Sequence, residues 1–127
     1  MVEDEAIEPM LVEAVRAALV PLARDRRLVS YRELADLARV PPPHKIHKVT
    51  LALEALMRAD HAAGRPLLAS IAVSRVAPGT PGRGYFQLLA ALGRYHGPDQ
   101  GPEAAAAHAR ELETLWAQDG VAAPKSP

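Results

Sequence analysis

The chain has 127 residues, enough for one domain with a real core and too few for two. Nearly half of the residues are apolar but only five are aromatic, so the core must be built from Leu, Val, Ile and Ala, a composition that favours helices. Cysteine is absent, which excludes disulfides, thiolate nucleophiles and cysteine zinc sites, and the zero net charge divides into −5 over residues 1–13 (five acids, no base), +7 over 14–100 (13 Lys/Arg against six Asp/Glu) and −2 over 101–127 (two bases against four acids).

A basic centre between acidic ends is what a phosphate backbone would want. The acidic N-terminal stretch has no uninterrupted apolar run, so neither a signal peptide nor a membrane span is expected, and the chain reads as cytoplasmic. Residues 1–5 read as frayed. From Ala6 to about Arg26 the apolar positions Ile7, Leu11, Ala14, Val15, Ala18, Leu19 and Leu22 recur at three and four, one face of an amphipathic helix. Pro21 lacks the N–H that the helical ladder needs and is expected to kink or end this helix near Val20. The acids at its start and Arg24, Arg26 and Arg27 at its end suit the helix dipole without any ligand.

After the short extended run Leu28-Val29-Ser30, the pair Ser30 and Glu33 forms a capping box, which predicts a helix starting at Tyr31. That helix buries Leu34, Ala35, Leu37 and Ala38 and stops before Pro41. Pro42 and Pro43 suit the first turn of a longer helix beginning near His44 and running to about Ala62, with Ile46, Val49, Leu53, Leu56 and Met57 inward and Gly64 as its cap. His44, Lys45, His47 and Lys48 lie at its N-terminal end, off the apolar stripe. Leu67 to Val76 reads as a strand bounded by Pro66 and Pro78, with Ser70, Ala72 and Ser74 on a partly solvated face. Pro78 to Gly84 reads as a turn or hairpin tip carrying Arg83. Tyr85 to Gly93 reads as a helix with Phe86, Leu89 and either Ala90 or Leu92 inward. A last helix over 102–118 starts at Pro102 and is anchored by Leu112, Leu115 and Trp116, and 119–127 is a tail.

Helix, turn, helix, strand and glycine-rich loop, in that order over residues 28–93, is the order of a winged helix-turn-helix. The expected architecture is therefore a mostly α winged helix with a small β element and extra N- and C-terminal helices. No catalytic constellation accompanies it. His44 and His47, three apart on a helix, have no carboxylate at ligand spacing, so no metal is expected. The glycines at 79, 82 and 84 lack the Lys-Ser/Thr of a phosphate-binding loop. Neither Ser70 nor Ser74 sits in a nucleophile elbow. No cofactor is expected, and Trp116 reads as a core plug.

Ser30-Tyr-Arg-Glu-Leu-Ala35 resembles the Thr-Tyr-Gly-Glu-Leu-Ala that opens the winged helix of methylated-DNA cysteine methyltransferases and alkyltransferase-like proteins. Arg65-Pro-Leu-Leu and Ile71-Ala-Val-Ser-Arg-Val76 can be laid over that family's Asn-Pro and Ile-Pro-Cys-His-Arg-Val segments, and Leu88 to Gly93 over its Leu-Leu-x-x-Glu-Gly. The resemblance covers roughly residues 28–93 and implies a winged helix on duplex DNA. It does not carry the chemistry. Val73 stands where the family has its acceptor cysteine, Ser74 where it has histidine and Leu92 where it has glutamate, so alkyl transfer is excluded. Lys48 falls near the arginine that the family inserts into the duplex, and a lysine cannot reproduce that planar wedge, which argues against base flipping.

Two functions follow as expectations. The first is non-catalytic DNA binding, with Tyr31, His44, Lys45, His47, Lys48 and Thr50 at the groove and Arg75 and Arg83 on phosphate. The second is a protein-interaction or dimerisation module that uses the terminal helices on the same scaffold.

Overall fold

The structure, a computed structural model, describes residues 8–74 and 79–117. The described chain is mostly helical: α1 (Pro9–Arg24), β1 (Val29–Ser30), α2 (Tyr31–Leu37), α3 (Lys45–Ala62), a 3-10 turn (Leu68–Ile71), β2 (Ala72–Val73), α4 (Arg83–Ala91) and α5 (Pro102–Trp116). The two short strands pair in parallel, Val29 with Ala72 and Ser30 with Val73. Arg75, the end of the expected strand, the expected first turn at Ala6 and the C-terminal tail lie outside the described residues.

Sequence explains most of the element ends. Ser30 caps α2 as expected, its hydroxyl accepting from the Glu33 N–H at 3.0 Å. The Glu33 carboxylate, instead of closing the box, lies 3.6 Å from Arg27. Gly64, at φ +73, ends α3 in a Schellman motif, with Arg65 N–H donating to Asp60 O and Gly64 N–H to His61 O. Pro21 neither ends nor breaks α1, which continues through it to Arg24. The carbonyl deprived of a donor belongs to Ala17, and both residues are exposed, so water can serve it.

Four expectations are corrected. Leu67 to Val73 is not a long strand but a 3-10 turn followed by two paired residues. Every side chain in that run is buried, Ser70 included, and continuous burial carries no period by which strand and buried turn could be told apart. Second, Arg83 is not at a hairpin tip, because Gly82 is the N-cap of α4 and Arg83 its first residue. Third, Pro42 and Pro43 precede α3, whose N-cap is His44 in the left-handed region at φ +60. Fourth, Leu37 and Ile46 are exposed, at 51% and 41%. Leu37 falls to one side of the face set by Leu34, Ala35 and Ala38. Ile46 is in phase with its stripe, but in the first turn of α3 it lines an open depression with Arg32, Ala35 and Asp36 of α2.

The core gathers around α3. Val49, Ala52, Leu53, Leu56 and Met57 meet Val15, Leu19 and Leu22 of α1, Leu34 and Ala35 of α2, and Leu67 to Ile71. At the far end of α3, Asp60 is buried and ties three elements together. Its carboxylate accepts from Arg16 at 3.3 Å, from Arg65 at 2.9 and 3.1 Å, and from the Leu68 backbone N–H at 3.2 Å. At the end of α4, Ala90 is exposed and Leu92, the C-cap, is partly buried, resolving the alternatives for that helix. Leu115 of α5 is buried and Leu112 and Trp116 pack partly against the core, joined by Ala104, Ala107 and His108.

Candidate nucleic-acid interface

The α2–α3 corner holds four of the eight sequence-derived residues on consecutive turns of chain. α2 closes in a Schellman motif with Arg39 at φ +56, the chain turns through Val40 to Pro43, and His44 starts α3 without any side-chain cap. Unblocked N–H groups at a helix start carry partial positive charge. Lys45 lies beside α2, its Nζ 3.2 Å from Asp36 Oδ1. Lys48 Nζ donates to the Pro41 carbonyl at 3.0 Å. His44 and His47 are both exposed. Thr50, one turn on, is turned back onto its own helix, its hydroxyl donating to Ile46 O at 3.0 Å.

The remaining candidates are elsewhere. The Tyr31 hydroxyl accepts from the Gly82 N–H at 2.8 Å and so ties the start of α2 to the start of α4. Burial pushes its phenol above the ordinary value, the Gly82 N–H works against that shift, and the Glu54 charge adds to it. Tyr31 is thus a strut with its polar end occupied. Arg83 lies 3.3 Å from Asp99 and lines a separate depression of about 230 Å³ with Ser74 and Gln100. Arg75 is outside the described residues.

Sequence reasoning missed Arg39. It lines a cleft of about 630 Å³ together with His44, His47, Lys48 and, from the start of α1, Leu11 and Ala14. An arginine in a helix-closing position has no sequence signal, because that position ordinarily calls for glycine or asparagine. Also missed is a buried polar chain beneath α4 and α5. The Ser70 and Tyr85 hydroxyls lie 2.7 Å apart, and His108 Nε2 donates to the Ser70 carbonyl at 2.7 Å. Among the described residues, the void that adjoins this polar chain, lined by Tyr31 and Tyr85, has a volume of about 20 Å³.

Among the described residues no group of His, Asp and Glu is placed to hold a metal ion, and no helix is long and apolar enough to cross a membrane. No protein-family model, no curated protein and no solved structure matches the chain.

Proposed function

We propose that this chain is a non-catalytic duplex-DNA-binding domain of the winged helix-turn-helix kind, with the first turn of α3 directed at the duplex. The observation that carries this reading is the gathering of Arg39, His44, Lys45, His47 and Lys48 around one uncapped helix start at an exposed corner. The cations and the helix dipole act together on a phosphate there. Lys45 and Lys48 are engaged in the free protein by Asp36 and the Pro41 carbonyl. Exposed contacts of that kind are worth roughly 0–1 kcal/mol, so a duplex phosphate can replace them. Such contacts position a protein on DNA and carry no sequence information.

Arg83 is left out of this interface because it lines a separate depression with Ser74 and Gln100 at the start of α4, away from the α2–α3 corner. The variant Arg39→Gln/Lys45→Gln/Lys48→Gln is therefore expected to weaken duplex binding similarly on unrelated sequences. It should also lower the slope of log K against log salt by up to about 0.9 for each lost phosphate contact. Arg83→Gln should leave both quantities unchanged. Absence of duplex binding by the unmodified protein at low salt, where attraction is least screened, would sink the reading.

A protein-interaction role on the same scaffold is favoured by the exposed apolar side chains Met10, Leu37 and Ile46. It separates from the first by mass. Self-association in light scattering that Met10→Glu or Leu37→Glu abolishes would support it, and a monomer at all concentrations would count against dimerisation.

A further inference from the structure

The geometry points to a binding site for a small amphipathic anion, an apolar body carrying a carboxylate or similar head, in the cleft between the start of α1 and the α2–α3 corner. The cleft has a volume of about 630 Å³, within the roughly 300–1,000 Å³ of small-molecule sites. Its lining is divided by chemistry. Leu11 and Ala14 from α1 and Ala38 and Leu51 from the other wall supply apolar surface, while Arg39 and Lys48 supply full positive charge and His44 and His47 supply imidazoles on one side. Among the described residues the one carboxylate in the lining is Glu8, just before α1. A ligand with one anionic end would therefore bind in one orientation, head to Arg39 and Lys48, body against the leucines.

Arg39 is the anchor. It lines the cleft, no described acid is paired with it, and its planar fork matches the two oxygens of a carboxylate. A phosphate backbone alone leaves the apolar lining unexplained, because a duplex presents its phosphates on a convex surface with no extended apolar body beside them to enter a cleft. This inference goes beyond the DNA reading and does not depend on it. If both hold, they share Arg39 and Lys48, so ligand and duplex would compete.

Octanoate is a suitable probe, with octan-1-ol and octylammonium as partners of the same tail. Titrated into the full chain labelled with nitrogen-15, octanoate is expected to give saturable amide shifts confined to residues 8–14 and 38–51. Its affinity should exceed that of octan-1-ol by about ten-fold or more, as a charge-assisted contact requires, and octylammonium should bind more weakly still. Arg39→Gln/Lys48→Gln should remove that advantage and leave octan-1-ol binding unchanged. Equal affinity for octanoate and octan-1-ol, shifts centred elsewhere, or no saturation would overturn the proposal. Full-length Glu3→Gln/Asp4→Asn/Glu5→Gln separates the remaining occupant. Unchanged octanoate affinity supports the ligand site, whereas a gain of about ten-fold would assign the cleft to the chain's own acidic segment and overturn it. A duplex titration with and without octanoate is a separate measurement, so loss of DNA binding would leave these outcomes standing.

Discussion

Single backbone positions separate this chain's structural needs from its candidate functional ones. Four helices close with the same pair of hydrogen bonds, at Arg26, Arg39, Gly64 and Gly93, and all four residues have positive φ. Two of those positions carry arginine where glycine would cost least. The left-handed region costs an L-residue roughly 1–2 kcal/mol, against roughly 0.5–1 kcal/mol of extra unfolded-state freedom for glycine. Arg39→Gly should thus raise stability by about 0.5–1 kcal/mol in chemical denaturation while weakening duplex and octanoate binding. A loss of stability would mean that the Arg39 side chain packs more than its contacts indicate. His108 is a second such position. Burial lowers its pKa, with the Ser70 carbonyl and the Glu111 charge opposing that shift. A histidine depressed in the folded state keeps its stabilising effect above its unfolded value, about 6.5, and loses it as pH falls through the folded value. Stability should therefore decline on acidification from about pH 7, and His108→Gln, which keeps a donor for the Ser70 carbonyl, should flatten that decline in paired denaturation series.

At the scale of elements, local signals were strongest where a side chain completes its own helix. Ser30 is the clearest case, one hydroxyl serving one orphan N–H, and Ser30→Ala should cost about 1 kcal/mol by urea denaturation. An effect near zero would mean water replaces the cap. Contacts between elements follow other rules. Arg94 donates to both Glu111 oxygens at 2.8 and 3.1 Å and approaches His61 Nδ1 at 3.1 Å, linking α3, the turn after α4, and α5. Because a guanidinium has no acceptor, Nδ1 must accept and the ring proton sits on Nε2. Nothing in the spacing of residues 61, 94 and 111 announces that cluster.

On the scale of the whole molecule, α5 is integral to the fold. Leu115, Ala104, Ala107 and His108 are buried, and His108 closes over the Ser70 carbonyl. A chain ended at residue 101 would leave that carbonyl and the side chains under α5 open to water. It is expected to lose cooperative unfolding, as monitored by circular dichroism. A stable, cooperatively unfolding truncation would show that α5 is only an appendage. The apolar face of this helix is used inside the protomer, so any association through α5 would have to employ its other faces.

The amphipathic period determined the helical segments, and with them the inward residues Val15, Leu19, Leu34, Val49, Leu53, Leu56 and Leu89. Caps at Ser30 and Gly64 were legible too, because each is satisfied within a few residues of chain. The basic cluster at 44–48 was legible as charge in sequence order. Tertiary structure decided everything that depends on which segments meet. It made Leu68 to Ile71 a buried 3-10 turn and left only Ala72 and Val73 as strand, since burial from all sides erases the alternation by which a strand is recognised. It joined the Tyr31 hydroxyl to the Gly82 N–H, 51 residues away, and set Arg83 beside Asp99 in a depression apart from the α2–α3 corner. It also brought Arg39 and Leu11 into one cleft, a neighbourhood set by how α1 packs on α3 and by no periodicity along the chain.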